Sequence, residues 1–259
     1  MTSTEPAVSL DRDGAIAILT LSNPARRNAF TPDMRRNLTA HISALAKDDA
    51  CRAIILTGEG AHFCSGADLS RIAPDAAPPS ANATRENMKE VHGLVRAIAA
   101  GPKPVIAAVE GIAAGGGLSI ALACDHLVVA KNARLITAFG KIGLIGDLGI
   151  MWSLQQRISP IAARRMLMVP TEVDGTSAVD LGLADELCAP GAAFEAARNA
   201  AAGFAALAPL SVALTKSVYA EGAQSLEQVL QRELDLVPMV NQSDYFKQAV
   251  AEFARRKGT

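Results

Sequence analysis

Three glycine-bearing segments carry residue types that could act on a substrate: FCSGADL (residues 63–69), GIAAGGGLSIALACD (residues 111–125) and GLIGDLG (residues 143–149). The run Gly115-Gly116-Gly117 passes directly into a helical pattern. Its backbone N–H groups then point out of a helix N-terminus, an arrangement that holds an anion or a developing oxyanion. The same glycines suit a tight turn with close packing of helix on sheet, and both readings stay open at this point. Asp147 opens the helical pattern DLGIMWSLQQRI. The positive end of a helix favours an ionised carboxylate there, although an N-cap Asp with no further role has the same signature. His92 falls on the apolar stripe Met88, Val91, Val95, Ile98 and Ala99, which predicts an inward-facing imidazole.

Familiar glycine-loop chemistries fail on spacing. Neither GxGxxG after a first strand nor GxxxxGK[ST] occurs in the right place, so dinucleotide and Walker-type phosphate binding are excluded. Gly117-Leu118-Ser119-Ile120-Ala121 meets the nucleophile-elbow pattern only in part, with no strand directly before the serine. Cys51, Cys64, Cys124 and Cys188 lie far apart without a metal-binding spacing. They read as reduced thiols of a cytoplasmic protein, with no metal site expected.

The elements that must position these groups alternate. Strand-like runs at residues 15–21, 53–57, 104–109, 127–130 and 183–188 are separated by helical periods at 32–46, 82–100, 116–123, 147–158 and 161–168. That order predicts an α/β fold with a largely buried sheet. After residue 190 only helical patterns follow, at 193–207, 210–221, 226–241 and 243–257. The expected organisation is therefore a core over residues 1–192 and a helical C-terminal region over 193–259. The stretch IAPDAAPPS (residues 72–80) reads as a loop, either a lid over a pocket or an ordinary surface connection.

Composition narrows the partners. In 259 residues, 50% are apolar and 20% charged, and 25 Lys plus Arg balance 26 Asp plus Glu. No basic run could neutralise a phosphate backbone, which argues against nucleic acid and anionic membrane as partners. The start, MTSTEPAVSLDRDG, lacks the pattern of a signal peptide, and the apolar stretch at 104–125 is broken by Glu110 and its glycines, so no membrane span is expected.

Taken together, FCSGADL, KPVIAAVEGIAAGGGLSIALACD and ARLITAFGKIGLIGDLG resemble, in order, the enoyl-CoA hydratase/isomerase (crotonase) superfamily. NPARRNAF at residues 23–30 and SDYFKQAVAEFARRK at 243–257 are similar too, so the likeness covers nearly the whole chain. It implies a spiral of ββα units, a C-terminal helical region that assembles a homotrimer or a dimer of trimers, and acyl-CoA thioesters as substrates. Coenzyme A enters only as part of the substrate, and no separate cofactor is implied. The family's two oxyanion-hole donors map onto the N–H groups of Ala67 and Gly116. Backbone donors need no particular side chain, which fits Ala and Gly at these positions. By the same likeness the segment Ala67, Asp68, Leu69, Ser70 lies against the CoA adenine. Arg26 or Arg27 is the cation for the CoA phosphates, with a solvated surface charge as the alternative. Asp68 and Asp125 read as structural, holding loop and helix-end backbone.

The resemblance also says which reaction to doubt. Hydratases of the family use two glutamates, at positions that here hold Ser119 and Phe139. Neither can activate water or protonate a carbon near neutral pH. Asp147 matches the acidic position that several isomerases of the family use as a proton shuttle and that a dehalogenase branch uses as a nucleophile. His92 stands where that branch keeps a histidine. Ser119, Phe139, Ile142 and Leu144 are expected to line the acyl pocket, with Trp152 as a further contributor. The leading expectation is enoyl-CoA isomerisation with Asp147 as the shuttle. The alternatives are hydrolysis or dehalogenation of an aryl- or acyl-CoA through Asp147 and His92, and acyl-CoA binding without catalysis.

Overall fold

A computed structural model describes residues 5–71, 75, 77–222 and 224–257. The chain opens with a hairpin of β1 (Ala7–Asp13) and β2 (Ile16–Ser22), in which Ala7 faces Ser22 and Asp13 faces Ile16 across the turn. Next come α1 (Pro32–Leu45), β3 (Ala53–Gly58), α2 (Ala81–Ala99), β4 (Val105–Val109), β5 (Ile112–Ala114), α3 (Gly116–Ala123), β6 (His126–Ala130) and β7 (Arg134–Thr137). The order continues with α4 (Ile150–Arg157), α5 (Pro160–Met168), β8 (Thr171–Asp174), α6 (Gly175–Asp180) and β9 (Glu186–Cys188). Four helices close the chain: α7 (Ala193–Ala205), α8 (Pro209–Ala220), α9 (Leu226–Asn241) and α10 (Asp244–Lys257).

The larger sheet runs β1-β2-β3-β4-β6-β9, parallel throughout except for the β1–β2 pair, and β5-β7-β8 form a second, smaller sheet. Strands β4 and β6 each send the chain into the second sheet, through β5 and β7; α3 returns it to β6, whereas after β7 the chain passes α4 and α5, adds β8 to the second sheet and reaches β9 through α6. The bridge between Cys64 and Ala113 gives β3 a shorter version of the same path before α2. Three successive ββα units thus build the α/β architecture inferred from the alternating pattern.

Both faces of the large sheet are covered, which is why its inner strands read as unbroken apolar runs. Ile54 and Leu56 of β3 join α1 and α3 in the main core, while Ala53 and Ile55, one residue out of phase, face the other side. There Ala193, Ala197 and Ala201 of α7 pack on Ile106, Ala108 and Val128. The first helix of the expected C-terminal region is therefore a layer of the core. Helix α9, by contrast, buries none of its residues.

Five elements escaped the sequence pattern: β1, β5, β7, β8 and α6. β1 is mostly exposed and polar, and the others span only three to six residues, too short for a period to register. Of the loop at 72–80, residues 72–74 and 76 lie outside the described residues. Among the described residues no single helix is long and apolar enough to cross a membrane.

Candidate active site

Two loops meet where β3 and β5 end. Cys64 N–H donates to Ile112 O at 2.9 Å, and Ala114 N–H donates to Cys64 O at 2.9 Å, which aligns the chains just before both turn. Gly66 makes its turn with a φ of 95°, in the region that glycine tolerates best. Phe30 then engages the loop from one side: its N–H donates to Gly66 O at 2.7 Å, and its carbonyl accepts from Asp68 N–H at 2.9 Å. By strand alternation the N–H of Ala67 points the other way. In the second loop Gly115 N–H is spent on Ile136 O at 3.0 Å, so Gly116 N–H is the first unclaimed donor of α3. Neither Ala67 N–H nor Gly116 N–H meets an acceptor among the described residues. Both residues line one cavity of about 550 Å³, together with Phe139, Ile142, Leu144 and Asp147.

Asp147 does not cap a helix, contrary to the sequence pattern. Leu148 and Gly149 take left-handed backbone angles, so α4 starts only at Ile150, with Gly149 as its N-cap. Asp147 therefore lies outside the first turn of α4, where the positive end of a helix acts most strongly. Burial dominates instead and pushes the Asp147 carboxyl above the usual carboxylate range. Its own backbone N–H, then the charges of Arg35 and His92, oppose that rise in part. Oδ1 of Asp147 is buried with no hydrogen-bond partner among the described residues.

Phe139 is buried in the cavity wall, and Ile142 and Leu144 reach it from the surface, each about half exposed. Ser119 does not line it. The side chain is wholly buried inside α3, and its hydroxyl donates to Gly115 O at 3.1 Å. Trp152 lies instead in a larger cavity of about 970 Å³ between α8 and the ends of α3 and α4, which contains neither donor loop nor Asp147.

His92 is exposed on α2, not inward-facing. The buried stripe of that helix is Val91, Leu94 and Ile98. With Leu94 at its centre the stripe rotates away from position 92, which sits about 100° round from Val91. His92 is outside the cavity lining, although close enough for its charge to act on Asp147.

Asp68 and Leu69 line the cavity mouth, and Asp68 Oδ1 accepts from Ser70 N–H at 3.2 Å and from the Ser70 hydroxyl at 2.6 Å. Arg26 and Arg27 are exposed. Their backbone is latched to the donor loop, with Ser65 hydroxyl on Arg26 O at 2.9 Å and Ser65 N–H on Arg27 O at 3.0 Å. Asp125 sits elsewhere: its carboxylate accepts from Val105 N–H at 2.7 Å and pairs with Lys216 of α8.

Arg35, Asn87, Met88 and Val91 supply a cavity wall that no motif signalled. Arg35 follows a buried methionine on an amphipathic helix, a position that reads as surface charge. Its Nη2 donates to Asn87 Oδ1 at 2.8 Å and to Glu90 Oε1 at 3.0 Å, while its Nε is buried without a partner among the described residues.

Residues 11–258 match the family described as enoyl-CoA hydratase/isomerase. The chain is similar to 1,2-epoxyphenylacetyl-CoA isomerase of Escherichia coli, with 28% identity over 93% of each chain. It is 31% identical to (E)-benzylidenesuccinyl-CoA hydratase of Thauera aromatica, over 81% of this chain and 80% of that one. An enoyl-CoA hydratase crystal structure from a Polaromonas species superposes with a TM-score of 0.87 at 32% identity, covering 96% of this chain and 97% of the other.

Proposed function

Because this chain belongs to the enoyl-CoA hydratase/isomerase family, and is thus an enzyme acting on acyl-CoA, we propose that it isomerises the double bond of an enoyl-CoA through a stabilised enolate. The observation that carries this reading is the pairing of two unclaimed N–H donors with one carboxylate, Asp147, in a single cavity. The thioester oxygen accepts from Ala67 N–H and Gly116 N–H, and each donor lowers the barrier by about 2.7 to 4 kcal/mol as negative charge develops on that oxygen. Asp147 takes a proton from the α-carbon of a 3-enoyl-CoA. The electron pair delocalises into the dienolate, and the proton returns at the γ-carbon to leave the 2-enoyl isomer. A single group serves both steps, and no atom is gained or lost.

Ordinary hydration needs a base for water and an acid for carbon. Ser119 is sealed in α3 and Phe139 offers only an apolar ring, so the two positions used by hydratases of the family supply neither. The other carboxylate of the cavity, Asp68, is engaged by Ser70. The names of the relatives do not choose between reactions, since one is an isomerase and another a hydratase. The nucleophilic alternative loses support because its base, His92, lies outside the cavity lining. Acyl-CoA binding without catalysis predicts no exchange of α-protons in deuterated water.

Panels of 3-enoyl-, 2-enoyl- and aryl-CoA followed by mass spectrometry in heavy-oxygen water test the reading. Isomerisation moves the double bond with no label uptake, whereas labelled 3-hydroxyacyl-CoA or labelled acid would overturn it. Arg26 and Arg27 are further proposed to meet the CoA phosphates, so replacing both with Ala should raise KM without changing kcat. Exposed apolar side chains on α9 and α10, among them Leu230, Leu234, Val237 and Phe246, support assembly into a trimer or dimer of trimers.

A further inference from the structure

We propose that Arg35 is a positioning residue whose fixed positive charge in the cavity wall holds the Asp147 carboxylate ready to accept the substrate proton. The inference rests on the isomerase reading above and adds to it a group that no motif marks. Arg35 and Asp147 come from α1 and from the loop before α4, more than 110 residues apart, yet they line the same cavity. Each also keeps one buried polar atom without a partner, Nε of Arg35 and Oδ1 of Asp147, and these are the two such side-chain atoms among the described residues. A buried N–H and a buried carboxylate oxygen left unpaired in one wall are costly unless each serves another purpose.

The arginine is held in place. Asn87 and Glu90, one turn apart on α2, both accept from its Nη2, and only 16% of its side chain is exposed. Glu90 offsets the charge only in part, being 41% exposed and open to solvent, while Arg36, 3.7 Å from the same carboxylate, has its own closer partner in Asp33. No direct Arg35–Asp147 ion pair forms within 4.0 Å. The carboxylate therefore stays free to reach the substrate, while the charge of the largely buried guanidinium acts on it across the cavity wall.

Two other titratable groups lie near Asp147: Asp68 lines the same cavity and is engaged by Ser70, and His92 sits on the exposed side of α2, outside the lining.

The test measures kcat/KM against pH for conversion of 3-hexenoyl-CoA by the full chain, in wild type and in Arg35→Met, Arg35→Lys and Asp147→Asn. In Arg35→Met the acid limb should move upward by about one pH unit, the shift that loss of a nearby cation produces, and Arg35→Lys should restore most of it. A lower plateau with an unmoved acid limb would reduce Arg35 to a structural role and overturn the inference. If Asp147→Asn instead keeps wild-type activity, the isomerase reading itself fails, whatever Arg35 does. Should Arg35→Met not fold, Asn87→Ala loosens the same guanidinium, and the same limb is read there.

Discussion

A Cβ added to Gly66 would stand 3.4 Å from the backbone nitrogen of Gly116 and 2.9 Å from Ala114 O. The two donor loops touch at this point, and only a residue without a side chain lets them do so. Gly66→Ala should therefore combine backbone strain of about 1 to 3 kcal/mol with displacement of the neighbouring Ala67 N–H. Loss of one oxyanion donor predicts a fall in kcat of about 10²- to 10³-fold. Thermal melting together with steady-state kinetics checks both parts, and a variant that melts lower but turns over normally would detach Ala67 from the chemistry.

Asp147 carries opposite signs for activity and stability. Its folded-state pKa lies above the unfolded value, so the stability tied to its neutral form is present below the unfolded pKa and is lost as pH rises through the folded one. Asp147→Asn never ionises. It should melt no lower than wild type at pH 7 and gain relative to wild type as pH is raised from acid to neutral. Activity should have an acid limb above the ordinary Asp value of about 3.9, since the working form is the carboxylate. Paired melting curves and a pH–rate profile read the two effects.

His92→Ala should lower kcat by less than about 3-fold, because an exposed imidazole outside the cavity lining makes only a charge contribution of the kind worth well under 1 kcal/mol. Accumulation of a covalent acyl-enzyme in this variant, seen by intact-protein mass spectrometry, would instead point to the nucleophilic route.

Lys216 fastens α8 to the core. Its ammonium donates to Lys103 O at 2.8 Å and pairs with Asp125, the carboxylate that also receives Val105 N–H. Lys216→Met removes the cation from a carboxylate that is 23% exposed and keeps its bond from Val105 N–H, so the loss should be about 1.5 to 3 kcal/mol, as for a hydrogen bond to a charged group. Adding Asp125→Asn should recover part of the loss. Denaturant unfolding of the two variants measures it, and additive losses would mean that the pair is not coupled.

What could be read from the residues was the inside of the fold. The apolar runs of β3, β4 and β6 and the period of α1 stand out because burial on both faces of a strand, or on one face of a long helix, leaves a pattern. The hairpin strand β1 leaves none, being polar and exposed. Ala67, Gly116, Asp147, Phe139, Ile142 and Leu144 come together as expected from motif order, since glycine turns and loop ends mark themselves locally. Ser119, Trp152 and His92 do not join them, and the reason is rotation. Each lies on a helix where a shift of one residue turns the side chain by about 100°, which a count of apolar neighbours does not resolve. Arg35 was illegible for a different reason: its partners Asn87 and Glu90 are more than 50 residues away, and only the packing of α1 on α2 brings them to it.

The most direct measurement is deuterium uptake into 3-hexenoyl-CoA in heavy water, comparing wild type with Asp147→Asn while acyl-CoA binding is followed by calorimetry. Wild type should move the double bond, with solvent deuterium entering whenever the Asp147 carboxyl exchanges its proton before returning it, and the variant should bind comparably yet isomerise and exchange at least about 10²-fold more slowly, the low end for loss of a proton-transfer group. Equal rates in both proteins would contradict Asp147 as the proton carrier, and neither exchange nor movement of the double bond in either would leave a binding protein in place of an enzyme.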